Sequence, residues 1–380
     1  MTRSICSRCV MDTTDPDITF DEEGVCNHCR QYDQLERDHV FGGVEGAKRF
    51  DAVVAQIKET GKGKKYDCIM GVSGGVDSTY AVYLAKKAGL RPLAVHLDNG
   101  WDSELAVKNI QKVLQQLDVH LMTVVLDWDE FRDLQVAFLK ASTPDSEIPS
   151  DHAIISVMFG EANRLGLKDV VTGFNVKTES HMPRAWSNGH SDWMYIRSVQ
   201  KRFGKGRLRT YPHTSFFNLL RFRRSQRWTH ILNFVDYDKK AAKDILINEL
   251  GWVDYGGKHY ESVYTRFYQG YLLPRKFGFD KRKAHFSSLI CSKQMTRDEA
   301  LAELQKPPYP IAQQEIDKEY VQKKLKLTEA EFEEIMARPK LRYADYPSLG
   351  RFYAGPIYGG MRYIYRRTLK PLIGGKSAGE

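Results

Sequence analysis

The chain contains no run of 18 apolar residues, so its 380 residues include no candidate membrane-spanning helix. Its N-terminus also lacks the apolar region of a signal peptide. Because both features are missing, we expect a cytoplasmic enzyme. The hydrophobic fraction of 42% is enough for a substantial core, and the length favours two or more structural units.

Acidic residues are missing from one segment, residues 193–235. Ten basic residues lie there: Arg197, Lys201, Arg202, Lys205, Arg207, Arg209, Arg221, Arg223, Arg224 and Arg227. The formal charge is +9, so the rest of the chain is net −1 (9 − 10). The segment is predicted to face nucleic acid, or a diphosphate-bearing small molecule together with ATP; a solvated basic face is the alternative. Its interleaved aromatic residues suit base stacking or a packed core.

Cysteine is scarce, and four of the six cysteines lie at the N-terminus as Cys6-x-x-Cys9 and Cys26-x-x-Cys29. Two such pairs have the spacing of a four-thiolate zinc site, which can fold a segment too short to have its own core. Disulfides conflict with a cytoplasmic chain, and an iron–sulfur cluster is the other alternative. Cys68 and Cys291 are interpreted as buried apolar residues.

The chain also lacks a Walker A motif, because Asp77 stands where that motif has its lysine. Residues 73–78 (SGGVDS) instead join an apolar stretch, 66–72, to a predicted helix, 77–88. Glycine in this loop lets backbone N–H groups approach an anion, Ser73 and Ser78 add hydroxyl groups, and the helix directs its positive end to the same place. The sequence therefore predicts a phosphate cradle, with an ordinary turn as the alternative.

Strands and helices are predicted to alternate after this loop, which indicates an α/β fold with a parallel sheet flanked by helices. The predicted strands are 66–72, 91–97, 120–126 and 168–172, and the helices are 77–88, 102–117, 131–140 and 150–165. The last third is predicted to be mainly helical, with capping boxes at Thr296 and Thr328. The predicted division is 1–35 (zinc knuckle), 36–65 (connector), 66–190 (nucleotide-binding domain), 191–285 (basic segment) and 286–380 (helical region).

Ligands of such sheets bind beyond the carboxyl ends of the strands. His96, Asp98, Gly173 and Asn175 are at or just after predicted strand ends. Asp98 could reach a ribose or a metal, or cap the next helix. Residues 276–283 form a basic loop that could close over phosphates, or be a solvated run of charge.

The loop SGGVDS resembles the PP-loop of N-type ATP pyrophosphatases, which cleave ATP between the α- and β-phosphates. Together with the four cysteines and the stretches 172–175, 276–285 and 296–301, it resembles the N-acetyl sugar amidotransferases of bacterial surface-polysaccharide (O-antigen lipopolysaccharide) biosynthesis. The resemblance implies an adenine nucleotide alpha hydrolase-like domain. It also implies that ATP adenylates the acetamido oxygen of a nucleotide-linked sugar, and that ammonia then displaces AMP to give an acetamidino group.

The resemblance also implies roles for individual residues. Asp77 and Glu179 would hold Mg²⁺, although the histidine and paired aspartates familiar in related enzymes are missing. Asp77, Lys177 and Lys276 are the catalytic candidates. The ATP-binding candidates are Gly71, Ser73, Gly74, Gly75, Val76, Asp77, Ser78, His96, Asp98, Gly173 and Asn175.

No glutaminase signature is present: position 2 is not cysteine, and no Gly-x-Cys-x-Gly elbow occurs. The resemblance therefore implies partner proteins, a glutaminase and an ammonia-conducting barrel akin to those of histidine biosynthesis. Two alternatives stay open, a PP-loop enzyme that modifies tRNA (a thiolase or lysidine-type synthetase) and a non-catalytic zinc-ribbon protein that binds nucleic acid.

Overall fold

The computed structural model describes residues 4–257 and 260–354. A five-stranded parallel sheet forms its centre, in the order β3-β2-β1-β4-β5. The strands are β1 (Cys68–Gly71), β2 (Pro92–Asp98), β3 (His120–Val125), β4 (Asp169–Thr172) and β5 (Arg227–His230). The four strands predicted from sequence are confirmed, with shifts of one or two residues at most of their ends.

Helices surround the sheet on both faces. In the described part of the chain they are α1 (Asn27–His39), α2 (Gly43–Gly61), α3 (Val76–Lys87), α4 (Glu104–Gln116), α5 (Trp128–Ala141), α6 (Ile148–Arg164), α7 (Val176–Glu179), α8 (Trp193–Phe203), α9 (Phe216–Ser225), α10 (Lys239–Leu250), α11 (Val263–Phe267), α12 (Arg282–Cys291), α13 (Arg297–Gln305), α14 (Ile311–Leu325), α15 (Glu329–Ala337) and α16 (Leu349–Ala354). A π-helical segment, Tyr268–Phe277, follows α11. None of these helices has the length and apolar character needed to cross a bilayer.

Alternation along β1 divides the core into two layers. Cys68 and Met70 point into a layer that includes residues of α3, α4 and α10, while Ile69 points into the layer of α5 and α6. All three side chains are essentially inaccessible to solvent. A strand buried on both faces needs such a continuous apolar run, and each large side chain so buried contributes roughly 1.5–3 kcal/mol.

The fifth strand was not predicted. β5 comes from the basic segment and pairs with β4, so the sheet crosses the boundary predicted at residue 190. The bidentate ion pair between Arg227 and Asp169 joins the first residues of these strands, with N···O distances of 2.9 Å. One of the ten basic residues is therefore structural, at the end of the sheet away from the loop 73–78.

The four-cysteine segment packs against helices from two later parts of the chain. Helix α1, which carries Cys29, contacts α7 and α12, and α12 contacts α13. Both predicted capping boxes are confirmed: Thr296 begins α13 with Glu299, and Thr328 begins α15 with Glu331. Helix α12 thus connects the four-cysteine segment to the region described next.

Candidate active site

The order in which the chain adds strands to the sheet changes direction at β1. Strands β2 and β3 lie on one side of β1, and β4 and β5 lie on the other. The loops that follow β1 and β4 therefore leave the sheet on opposite sides of a crevice, where open parallel sheets bind their ligands. These two loops contain residues 73–78 and Gly173.

The loop 73–78 folds as an open cradle at the start of α3. Gly74 has φ +84°, a conformation that favours glycine. Ser78 Oγ donates to the Gly75 carbonyl at 3.2 Å and lies 3.2 Å from Ser73 Oγ. Helix α3 begins at Val76, with Gly75 as its N-cap residue and no side chain capping it. A helix N-terminus of this kind can bind an anion, as the sequence predicts.

Two aromatic side chains that follow α10 anchor the loop 73–78 by hydrogen bonds. Trp252 Nε1 and the Tyr255 hydroxyl both donate to the Gly74 carbonyl, at 2.9 and 2.8 Å. Asn109 of α4 fixes the backbone of Val253 between them. Sequence reasoning missed these anchors, because they lie more than 170 residues from the loop in a segment without a recognisable motif.

Gly173 lies where the β4 loop meets the start of α3. A Cβ atom there would be 2.6 Å from the carbonyl oxygen of Asp77 and 2.7 Å from Ser78 Cα. Only glycine fits this approach of one backbone to another. The structure therefore brings Gly173 to the cradle, where its role is to permit the contact.

Asp77 contacts a hydroxyl group and an ammonium group that lie at or just before the start of α10. The Tyr237 hydroxyl donates to Asp77 Oδ1, and Lys239 Nζ lies 3.6 Å from Asp77 Oδ2. Burial, together with the charges of Asp77 and Glu179, raises the pKa of Tyr237 well above its usual range. Both carboxylates line the smaller of the two cavities described below, and carboxylate oxygens are ligands that suit Mg²⁺.

His96 projects from β2 into the same region. Its Nδ1 lies 3.0 Å from the Val72 carbonyl, and its Nε2 lies 3.1 Å from Asp102 Oδ2. Burial alone would lower the pKa of His96, but Asp102 and the Val72 carbonyl raise it above its ordinary value. The imidazolium form, which donates from both nitrogens, is thereby favoured.

Two side chains predicted to bind ATP instead accept hydrogen bonds from backbone N–H groups. Asp98 Oδ1 accepts from the Gly100 N–H at 2.8 Å, and the next helix is capped by Ser103 rather than by Asp98. Asn175 caps α7, because its Oδ1 accepts from the Thr178 N–H at 3.0 Å. Neither side chain lines the cavities described below.

The two lysines predicted to be catalytic lie elsewhere. Lys276 is buried and donates to the carbonyls of Ile335, Met336 and Arg338, at 2.6, 3.2 and 3.0 Å, so it caps the end of α15. Burial lowers the pKa of Lys276 to about 8. Lys177 donates to the Tyr237 carbonyl at 3.3 Å, behind the residue that contacts Asp77. Neither lines a cavity next to the cradle.

The basic loop 276–283 is likewise paired with acids of its own chain. Lys281 Nζ lies 3.4 Å from Glu147 Oε2, Arg282 pairs with Asp280 at 2.7 Å, and Lys283 pairs with Asp12. Of these three cations, only Lys281 lines the cavity beside the cradle. The cations of this loop are thus paired within the chain rather than fully solvated, and Lys281 is the one placed beside the cradle.

Two cavities open from the cradle, with volumes of about 550 and 450 Å³. Both are lined by Ser73, Ser78, Phe174, Glu179, Glu261 and His285. The smaller one adds Asp77, Lys239 and Lys243, and we call it the phosphate cavity. The larger one extends past His96 toward α6 and α12, and we call it the acceptor cavity.

The acceptor cavity is rich in acids. The carboxylates on its described walls are Asp102, Glu147, Asp151, Glu179 and Glu261, against one lysine, Lys281. None of the ten basic residues of the segment 193–235, all of which the structure describes, lines either cavity. Nine of them are exposed at the surface. The expectation that these residues hold a substrate's diphosphate is therefore not supported by their position.

A charge cluster borders the acceptor cavity. His190 Nε2 lies 3.3 Å from Asp145 and 3.4 Å from Asp151. Burial alone would lower the pKa of His190, but Asp145 raises it to about 9. Desolvation, with the nearby charges of Asp145 and Glu147, raises the pKa of Asp151 to about 6, while 46% of its side-chain surface stays accessible from the cavity. A carboxylate with a pKa near neutrality can exchange protons with a substrate, and the sequence carried no motif that marked it.

The four N-terminal cysteines converge in one buried cluster. Their Sγ atoms lie 3.9 Å (Cys6–Cys29), 3.7 Å (Cys9–Cys26) and 3.7 Å (Cys26–Cys29) apart. Zinc–sulfur bonds of about 2.3 Å in a tetrahedron give sulfur separations of about 3.8 Å, so the spacing fits Zn²⁺. Backbone N–H groups of Cys9 and Cys26 donate to Cys6 Sγ, which suits a thiolate.

Two protein-family models match separate parts of the chain. Residues 67–187 match the family model described as queuosine biosynthesis protein QueC. Residues 261–354 match the model described as LPS biosynthesis protein WbpG-like, C-terminal domain.

Two curated relatives share the sequence over part of their length. An uncharacterized protein of Methanocaldococcus jannaschii is 30% identical over 171 residues, 44% of this chain and 58% of the relative. The tRNA-specific 2-thiouridylase MnmA of Ruthia magnifica is 31% identical over 124 residues, 29% of this chain and 34% of the relative. The matches thus span about a half and a third of these proteins.

Solved structures resemble the chain more loosely. The NH3-dependent NAD synthetase of Campylobacter jejuni superposes with a TM-score of 0.28 at 16% identity, over 36% of this chain and 59% of that one. The NMN synthetase of Francisella tularensis superposes with a TM-score of 0.34 at 14% identity, over 74% and 96%.

The sheet, the cradle and the first family model together define a PP-loop ATP pyrophosphatase domain. The second model adds the more particular assignment. The chain joins this PP-loop domain to a C-terminal domain of the WbpG-like class of LPS biosynthesis proteins.

Proposed function

We propose that the protein is an ATP-dependent amidotransferase acting on a nucleotide-linked sugar. In this reaction the acetamido oxygen attacks the α-phosphorus of ATP, and pyrophosphate leaves. Ammonia then adds to the activated carbon, and AMP leaves with the former amide oxygen, so that an acetamidino group remains. The observation that carries the proposal is the PP-loop cradle opening into a separate acceptor cavity, in a chain with a WbpG-like domain.

The chain's own residues support the first step at the cradle. Backbone N–H groups of residues 73–78 and the start of α3 would hold the departing pyrophosphate, with Lys239 beside it. Asp77 and Glu179 would hold Mg²⁺, which neutralises charge on the phosphates. Trp252 and Tyr255 keep the loop in this shape through the Gly74 carbonyl.

The acceptor cavity suits the uncharged part of the second substrate. Five carboxylates outnumber Lys281 and the imidazolium of His96 on its described walls, so the net charge there disfavours a diphosphate. The sugar with its acetamido group would therefore enter, and the diphosphate would stay outside. Asp151, with a pKa near 6, would accept a proton from ammonia as it adds to the carbon.

A tRNA-modifying enzyme is the second candidate, favoured by the similarity to a 2-thiouridylase and by nine exposed basic residues. Sulfur transfer needs a reactive cysteine near the activated substrate. All six cysteines lie in the described part of the chain, and none lines either cavity. The amidotransferase is therefore better supported than a thiolase, and the WbpG-like domain favours it over a lysidine-type synthetase.

The test is ATP–pyrophosphate exchange by the purified chain. We expect exchange to be stimulated by one or more members of a panel of nucleotide-linked acetamido sugars. UDP-glucose, which has no amide, is the matched control for UDP-N-acetylglucosamine in that panel. Stimulation by bulk tRNA and by none of the sugars would identify the second candidate instead.

The nitrogen source gives a separate prediction. The sequence has no glutaminase signature, so we propose that ammonia comes from a partner glutaminase through an ammonia-conducting barrel protein. With the stimulating sugar and ATP, millimolar ammonium should support AMP formation by this chain alone, while glutamine should not. Turnover with glutamine and no partner would refute this division of labour.

A further inference from the structure

A second group of metal-binding side chains adjoins the four-cysteine cluster. Cys291 Sγ lies 3.7 Å from Cys29 Sγ and 3.6 Å from His181 Nε2. The three donor atoms lie within 4.8 Å of one another, and all three residues are buried. They come from three elements: α1, the turn after α7, and the end of α12.

Hydrogen bonds around His181 determine which ring nitrogen carries the proton. Ser288 donates its only hydroxyl hydrogen to the Ala284 carbonyl at 3.2 Å. Ser288 Oγ, 3.1 Å from His181 Nδ1, is thereby an acceptor for an Nδ1–H, and Ser180 Oγ lies 3.3 Å from the same nitrogen. In the tautomer that donates from Nδ1 to these hydroxyl oxygens, the lone pair of Nε2 is directed at Cys291. A ligating histidine is usually held in this way, through its other nitrogen.

The number of thiols is also larger than one zinc ion needs. A tetrahedral site uses Cys6, Cys9, Cys26 and Cys29, which leaves Cys291 in contact with a thiolate that is already bound. Four thiolates and one Zn²⁺ carry a charge of −2, and a fifth thiolate would make it −3 in a buried place. A second divalent ion reduces it to −1, which lowers the cost of burial.

We propose that Cys29, His181 and Cys291 bind a second zinc ion, with Cys29 as a thiolate that bridges the two metals. Sulfur and imidazole donors of this kind suit Zn²⁺. Three protein ligands leave one position of a tetrahedral ion for a water molecule. Each bound ion displaces the proton of its thiol ligand, so Cys291 loses its S–H hydrogen to solvent when the metal binds.

The second ion joins the N-terminal segment to the wall of the acceptor cavity. His181 lies two residues after Glu179, and Cys291 shares α12 with His285, and both Glu179 and His285 line that wall. Helices α1, α7 and α12 already pack on one another. The metal pair would thus fix the position of two site residues that it does not touch.

The test is the zinc content of the full-length protein, measured by inductively coupled plasma mass spectrometry after purification with excess zinc and gel filtration. We expect two zinc ions per wild-type chain. Cys291→Ser and His181→Ala should each retain one. Cys68→Ala, which removes the sixth cysteine inside β1, is the matched control and should retain two.

The wild-type value decides the proposal even if a variant fails to fold. One zinc per wild-type chain would mean that Cys291 only donates its S–H to His181, and the proposal would be wrong. Two zinc ions in folded Cys291→Ser would contradict the assigned ligands. In the ¹¹³Cd-substituted protein we expect two resonances, of which Cys291→Ser removes one. The measurements need neither ATP nor sugar, so their outcome is independent of the proposed reaction.

Discussion

Gly173 shows how one residue couples two parts of the site. The β4 loop can approach the start of α3 only because no Cβ stands between them. This close contact aligns the loop with the phosphate cradle. A methyl group there must push the β4 loop or the cradle away, and overpacking of this kind typically costs about 1–3 kcal/mol.

We therefore expect Gly173→Ala to lower ATP–pyrophosphate exchange by at least about tenfold, since the displaced loop disturbs the aligned cradle. The matched control is Gly160→Ala on α6, where no atom lies within 4 Å of the added Cβ. It should keep exchange and gain about 0.5–1 kcal/mol of stability. Exchange within twofold of wild type in a folded Gly173→Ala protein would show that the contact is not needed.

The pair of His96 and Asp102 predicts a pH dependence. Because the pKa of His96 is raised in the folded protein, its stabilisation is complete below the unfolded pKa of about 6.5 and is lost as pH rises through the folded value. Asp102→Asn should lower the free energy of unfolding by roughly 1.5 kcal/mol near pH 6.

Urea denaturation of both proteins between pH 6 and 9 measures this difference. The gap between wild type and Asp102→Asn should narrow as the pH rises. The ring proton signal of His96 in NMR titration should also shift its midpoint to lower pH in the variant. A gap that stays constant across the range would mean that the imidazolium is not the stabilised form.

Residue type alone did not predict the contacts that several side chains make. Lys276, Asn175 and Asp98 are the kinds of residue that bind phosphates, riboses or metals. The same donors and acceptors also cap helices and turns, and these three do so. The loop 73–78 and Gly173 were predictable because local backbone requirements determine them.

At the scale of elements, α10 supplies what the PP-loop itself lacks. The sequence places Asp77 where a Walker A motif has lysine, and α10, which packs on α3, brings Lys239 to Asp77. Lys239 and Lys243 both line the phosphate cavity. No periodicity predicts which distant helix packs on α3, so these lysines could not be assigned from sequence.

Lys239→Met should weaken ATP binding because it removes a cation from the phosphate cavity. Loss of a charge-assisted contact of roughly 1.5–3 kcal/mol corresponds to about a tenfold to hundredfold rise in KM for ATP in the exchange assay. Lys240→Met is the matched control, since Lys240 is exposed and lines neither cavity. Equal KM values for the two variants would remove Lys239 from the site.

Strand β5 shows the limit of prediction at this scale. The alternation of strands and helices predicted four strands correctly, because each is a short, mainly apolar stretch between predicted helices. β5 has the sequence RWTH, inside a basic segment, and only its pairing with β4 makes it a strand. Such short edge strands depend on tertiary context.

At the scale of the whole molecule, positive charge of the basic segment lies on the surface and negative charge lies on the walls of the acceptor cavity. Nine exposed basic residues lie outside the cavities, while carboxylates dominate the described walls of the acceptor cavity. The composition correctly predicted a basic segment, but not that it would be separated from the substrate site. The four-cysteine cluster was predictable from spacing, whereas the approach of His181 and Cys291 to it follows from packing alone.

The central claim is that ATP activates the amide oxygen of a sugar. It is tested most directly with the acetamido sugar that stimulates exchange, labelled with ¹⁸O in its amide carbonyl and incubated with ATP and ammonium. We predict that the label appears in the phosphate of AMP, with none in pyrophosphate, as mass spectrometry or ³¹P NMR can measure. AMP without the label, or a label retained in the sugar product, would contradict the account.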